Sequence, residues 1–271
     1  MYQLKHSVFL LLILSLFLVA KANAEKITVA VASNFMLVFE ALITDFERLN
    51  LGSEVVLVSG SSGKIYAQIK HGAPFDIFMS ADQDKPLRLV KEGLAIPETR
   101  FTYAVGSLVL WSANSDLINN SGDILKKSAF NKLALANSKL APYGLAAEQV
   151  LAQLGILDAS RSKWVQGENI AQTYQFVETK NADLGFVAKS QVWKRGRLVS
   201  GSAWVIPPEL YSGIKQDAVT LKAAKNNKLA KKMMYYLQSS EVRSKIEAYG
   251  YQSVVIETTT LEFGLNKGGL H

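Results

Sequence analysis

Cysteine is absent from the 271 residues, so the chain has no thiol nucleophile, no thiolate metal site and no disulfide. Histidine is scarce. His6 lies in the opening segment and His271 is the last residue, which leaves His71 alone between Lys70 and Gly72. A single imidazole at a helix end supports neither a His-based catalytic set nor a His-rich metal centre. No motif of paired carboxylates is present, and the 23 Asp and Glu are outnumbered by 30 Lys and Arg. The basic residues are scattered, as at Lys126-Lys127, Lys194-Arg195-x-Arg197 and Lys222 to Lys232, with no aromatic stripe among them. That pattern argues against a nucleic-acid partner and reads as solvated faces with a mild attraction for anions.

Long apolar runs are also missing. The stretch Val8 to Ala20 falls short of the roughly 20 residues of a membrane-spanning helix. It follows Lys5 and His6 and precedes Ala22-Asn23-Ala24, the layout of a secretory signal peptide over 1–24, with the exported chain starting at Glu25. Without Lys5 and Lys21 the remainder holds 28 basic and 23 acidic residues, a formal charge of +5. An exported chain of this size builds a sufficient core without disulfides.

What the sequence does hold is an alternation of strand and helix signals. Ile27 to Ala32 reads as a strand, and Phe35, Val38, Phe39, Leu42, Phe46 and Leu49 keep helical spacing after it. Strands over 54–59 and 76–80 flank a helix over 62–70, and a further helix is expected over 85–92. Val105 to Ala113 reads as one long strand. The alternation then repeats: strands at 133–136, 164–166 and 184–187, with helices over 146–154 and 169–179. Segments 203–206 and 216–221, and a helix over 228–249, look like a return to the first unit. The expectation is a two-lobed α/β protein with a ligand cleft between lobes, at the carboxyl ends of the strands. The expected division is 25–104 plus 205–257 for the first lobe and 105–204 for the second, with a loosely held tail over 258–271.

The most informative segment is Gly60-Ser61-Ser62-Gly63-Lys64, set between the apolar run Val55 to Val58 and the spacing Ile65-x-x-x-Ile69. A strand here feeds hydroxyls into a helix start, where backbone N–H groups and the helix dipole favour an anion. Ser33-Asn34 forms a second junction of this kind after Ile27-x-Val29-x-Val31. Two such junctions suggest a bound oxyanion. Gly63-Lys64 lacks the spacing of a phosphate-binding P-loop, with Val58 and Ile65 where Gly and Ser or Thr belong. Ser61-x-x-Lys64 matches the short S-x-x-K pattern of serine β-lactamases but has no K-T-G partner.

Three segments resemble the molybdate-binding proteins of ABC importers, which have the type II periplasmic binding protein fold. They are Ile27 to Asn34, the turn Gly60-Ser61-Ser62-Gly63, and Gly72-Ala73-Pro74-Phe75-Asp76-Ile77-Phe78-Met79-Ser80-Ala81-Asp82. Pro142-x-Gly144, Gly167-Glu168-Asn169-Ile170 and Asp183 to Val187 support the match, which spans about 26–252. The resemblance implies two lobes, each a mixed, mostly parallel sheet flanked by helices, joined by two crossover strands. It implies a periplasmic, monomeric receptor that is not an enzyme and has no cofactor. Molybdate, and tungstate with it, would be bound and delivered to an ABC transporter permease. Its ligand positions fall on Ser33, Asn34, Ser62, Tyr143, Ile170 and Ala188, with Asn34, Ser62, Tyr143 and Ile170 as the donors. Many relatives place a Tyr hydroxyl where this chain has Ala188 and a small residue where it has Tyr143, so a Tyr moved across the pocket would restore the donor. Sulfate, thiosulfate or an organic anion is the alternative ligand, and an exported serine hydrolase the alternative class.

Overall fold

The computed structural model describes residues 25–119, 121–252 and 254; the expected signal peptide over 1–24 and the tail over 258–271 lie outside them. Two five-stranded sheets form the framework. The first half of the chain supplies β1 (Glu25–Ala32), β2 (Ser53–Gly60), β3 (Ile77–Met79), β4 (Phe101–Gly106), β5 (Leu108–Ser112) and β6 (Leu133–Ala136). The second half supplies β7 (Trp164–Gly167), β8 (Leu184–Ala188), a small hairpin of β9 (Trp193–Lys194) and β10 (Arg197–Leu198), then β11 (Ser202–Val205) and β12 (Ile214–Thr220). One sheet has the order β2-β1-β3-β12-β4 and the other β11-β5-β8-β6-β7. In the first, only β12 runs against its neighbours, and in the second only β5 does. The two-lobed α/β expectation is therefore met, and each lobe is a mixed sheet flanked by helices.

Register places the site. In the first sheet Ala32 lies opposite Gly60 and Val31 opposite Met79, so Ser33, Ser61 and Ser80 leave three parallel strands side by side. In the second, Ala136 lies opposite Gly167, so Asn137 and Glu168 do the same. Parallel strands end together, and the helices that follow them start together. The helices before β8 are α1 (Met36–Leu49), entered through a 3-10 turn at Ser33–Phe35, α2 (Ser62–Lys70), α3 (Asp84–Lys91), the short α4 (Asp123–Lys127), α5 (Pro142–Gln153), α6 (Leu157–Ser160) and α7 (Ile170–Glu178). Among the described residues no helix is long and apolar enough to cross a membrane.

The apolar spacing noted for α1 is its buried face: Val38, Phe39, Leu42 and Phe46 are in the core of the first lobe. Phe35 anchors the turn before it. Its ring sits edge-on to Tyr103 at 4.7 Å and to Tyr251 at 5.4 Å, and burying a ring of this size stabilises by about 1.5–3 kcal/mol.

Three expectations change. The run Val105 to Ala113 is not one strand but the end of β4 and all of β5, which lie in different sheets and part at Ser107. Both pieces are buried, so apolar residues flank the crossing on each side and hide it. The helix expected over 228–249 is broken into Lys228–Leu237 and Ser240–Ala248, because the Ser239 hydroxyl accepts the N–H of Val242 and caps a second start. Helix α5 begins at Pro142 rather than near 146, with proline in the first position, where its missing N–H has no consequence.

Candidate functional site

Four helix starts line one small hollow between the sheets. Ser33 and Asn34 come from the 3-10 turn, Ser61 and Ser62 from the head of α2, Pro142 and Tyr143 from the head of α5, and Ile170 from the head of α7. Each head is built by its own local chemistry. The Ser61 side chain accepts the N–H of Lys64, and the Asn169 carboxamide accepts those of Ala171 and Gln172. Gly63 donates its N–H to the Leu140 carbonyl at 2.8 Å, from one lobe to the other. A Cβ on Gly63 would stand 3.0 Å from the Leu140 backbone, so only glycine lets the lobes meet this closely.

The caps Ser61 and Asn169 take N–H groups deeper in α2 and α7, and α5 opens on Pro142, which has no N–H. The N–H groups of Ser62, Tyr143 and Ile170 donate to no described residue, and all three residues are buried at the hollow. Side-chain hydroxyls add to them. Ser62 Oγ accepts the Ala81 N–H at 2.9 Å, and Tyr143 Oη accepts from Gln216 Nε2 at 3.2 Å, so each keeps its own proton for another acceptor. Burial first, and then the neighbouring Tyr251, push the Tyr143 phenol well above its ordinary pKa, which keeps it a donor throughout the neutral range.

Among the described residues no charged side chain lines the hollow. A single ion pair bridges the two lobes among the described residues: Lys64 Nζ lies 3.0 Å from Glu168 Oε2, with both partners near half exposure at the rim. The hollow offers ≈ 10 Å³ of room to the centre of a water-sized sphere, far below the about 300–1,000 Å³ of sites for drug-sized organic ligands. A compact ion fits that description. A larger recess of ≈ 550 Å³ lies beside Ser112, Phe130, Lys180 and Asp183, but the Asp183 carboxylate there accepts the N–H groups of Asn131 and Lys132 and serves the chain itself. No group of His, Cys, Asp and Glu among the described residues could hold a metal cation.

Residues 27–252 match the family of bacterial extracellular solute-binding proteins. The chain belongs to that family. It is 48% identical over 234 residues to the molybdate-binding protein ModA of Azotobacter vinelandii, covering 86% of this chain and 92% of that protein. The ModA of Rhodobacter capsulatus is 42% identical over 231 residues, covering 85% and 89%. The solved structure of the Azotobacter vinelandii periplasmic molybdate-binding protein superposes with a TM-score of 0.81 at 38% identity, over 84% of this chain and all of that one.

Of the positions that the family resemblance marks, the fold gathers Ser33, Asn34, Ser62, Tyr143 and Ile170 around the hollow and leaves out Ala188. Ala188 is fully buried at the end of β8, and its N–H is taken by Gln191 Oε1 at 2.9 Å, so it offers no donor from side chain or backbone. The Asn34 carboxamide has partners within the protein. It borders the hollow, yet its Nδ2 donates to Gln216 Oε1 at 2.8 Å and to Tyr251 Oη at 3.0 Å, so its side-chain hydrogens serve the wall. Gln216, Tyr103, Tyr251 and Gly106 were not singled out from the sequence. One signal was available: Gln216-Asp217 is a polar pair inside the otherwise apolar strand β12, and both are buried.

Proposed function

We propose that the protein captures molybdate, and tungstate with it, in the interlobe hollow and hands it to the permease of an ABC transporter outside the cytoplasm. The observation that carries this reading is the convergence of unpaired N–H groups and donor hydroxyls on one small hollow without a charged side chain. A tetrahedral dianion such as molybdate bears no proton at neutral pH, so all its oxygens accept and a wall of donors suits it. The names of the relatives above supply the identity of the oxyanion. Because dipoles at helix heads meet the charge, no Lys or Arg is buried with it, and a desolvation penalty of several kcal/mol per ion is avoided.

The magnitudes are adequate. At about 1.5–3 kcal/mol per hydrogen bond to a charged group, five bonds offset the cost of association and leave the roughly 8 kcal/mol of micromolar binding. Size then separates molybdate from sulfate, and protonation separates it from phosphate, which keeps a hydrogen that needs an acceptor. The test is a thermal-shift panel with molybdate, tungstate, sulfate and phosphate. Molybdate and tungstate raise Tm most, with a stabilisation that grows as the logarithm of ligand concentration over Kd; a larger shift with sulfate, or none with any, contradicts the reading. Turnover of ester or phosphoester substrates would point to an exported hydrolase instead.

Two variants probe the parts. Ser62→Ala removes one hydroxyl and weakens molybdate binding by roughly 10–100-fold in calorimetry, since one bond to a charged group is worth about 1.5–3 kcal/mol. Lys64→Met removes the interlobe ion pair, and the expected loss is at most about fivefold at low salt and vanishes at high salt, because exposed pairs contribute about 0–1 kcal/mol. A salt-independent loss would show that Lys64 acts on the ligand itself.

A further inference from the structure

We propose that Gln216 is a positioning residue: it fixes the direction in which the Tyr143 hydroxyl donates, and so makes the hollow selective for oxyanions without a proton. This rests on the oxyanion reading above. Gln216 is fully buried on β12, at an irregularity in the pairing with β4, and it touches residues from both lobes.

The argument starts from a backbone carbonyl, which can only accept. Tyr251 donates its one proton to the Asn34 carbonyl at 2.9 Å. Its oxygen must then accept from the Asn34 side-chain atom 3.0 Å away, which makes that atom Nδ2. The same Nδ2 lies 2.8 Å from the Gln216 carboxamide, so the atom facing it is Oε1; the Tyr103 hydroxyl lies 3.0 Å from that oxygen and 3.1 Å from the Ser80 carbonyl and shares its one proton between them. The other end of the carboxamide is therefore Nε2, and it faces Tyr143 Oη at 3.2 Å. Tyr143 has to accept from it, and the phenol proton is left for the hollow. Turned the other way round, Gln216 would take that proton and leave only lone pairs facing a dianion.

Ser190 adds a donor from the second lobe to the same Asn34 carbonyl at 3.0 Å, which ties the origin of the chain of bonds to both lobes. The titratable groups around Gln216 are the phenols of Tyr103, Tyr143 and Tyr251, all held protonated by burial. Asp217, next on the strand, is turned to Arg100, and Lys215 is exposed. The three phenols stay protonated through the neutral range, so the parent protein binds with the same affinity from about pH 6 to about pH 9.

Gln216→Glu tests the direction of donation. A protonated glutamic acid can donate to Tyr143 as the amide does, whereas the carboxylate can only accept. Molybdate affinity measured by calorimetry is expected within about threefold of the parent at about pH 6 and at least about 30-fold weaker at about pH 9, since a buried Glu titrates in this range. A second test compares Gln216→Met, Tyr143→Phe and the pair at neutral pH: if Gln216 acts through Tyr143, the pair binds about as weakly as Tyr143→Phe alone. Melting curves at each pH confine the comparison to folded protein, and the Met and Phe set stands alone where the Glu variant unfolds. A parent that binds, with either a pH-independent Glu variant or additive losses in the pair, overturns this assignment. A parent that binds no oxyanion overturns the functional reading itself.

Discussion

A Gly106→Ala variant is expected to bind molybdate about a hundredfold more weakly than the parent while still unfolding in one cooperative transition. The effect follows from the absence of a side chain at the point where β4 hands the chain to β5. A Cβ on Gly106 would stand 2.1 Å from Tyr143 Oη and 2.7 Å from Gln216 Nε2. Neither group can yield easily. Tyr143 is 2% exposed at the head of α5, and Gln216 is fully buried with its carbonyl held by the Asn34 carboxamide. The added methyl therefore swings the phenol out of the hollow, with loss of a bond to charge worth about 1.5–3 kcal/mol and misalignment of the neighbouring N–H of Tyr143. The strain on the fold is of the order of overpacking a core, about 1–3 kcal/mol. Calorimetry and a denaturant titration on the same sample separate the two effects. Parent-like affinity would mean that the Tyr143 hydroxyl takes no part in binding.

The second large effect concerns stability. Asp217 is 1% exposed and is the hub of a polar knot: its carboxylate pairs with Arg100, accepts Thr102 Oγ1 at 2.7 Å and accepts Gln83 Nε2 at 3.1 Å. Those partners join β12 to β4 and to the turn before α3. Asp217→Ala leaves the half-buried Thr102 hydroxyl without its acceptor and the Gln83 amide with Thr102 Oγ1 alone, while Arg100, about a third exposed, can recover water. The net loss is about 2–4 kcal/mol, nearer the lower end than a fully buried pair would give. For a chain of this length, that lowers Tm by roughly 5–12 °C in a melting experiment. A change under a degree would show that the knot adds little to the fold.

The order of elements was legible because strands and helices in this fold carry opposite periodicities and are punctuated by caps. The turn at Gly60 to Lys64 is the clearest instance: strand, capping Ser61 and helix occur where the residues place them. The crossing at Ser107 was illegible for a physical reason. Two strands buried in different sheets look like one when each contributes only apolar residues to the junction. Within the site, residues on helix heads could be named because capping chemistry is local. The partners of the Asn34 amide could not be named, because they lie far along the chain, at Gln216 and Tyr251, and no local pattern encodes them. Ala188 was carried by the resemblance alone, and its N–H is taken by the side chain of Gln191.

The missing cation at the hollow also bears on unloading. An ion held by ammonium groups can be loosened by shifting protons or by rival salts. One held by fixed peptide dipoles feels neither, and its exit waits on mechanical work that prises the two halves apart. Whatever receives the cargo must therefore pull on the protein rather than change the acidity around it.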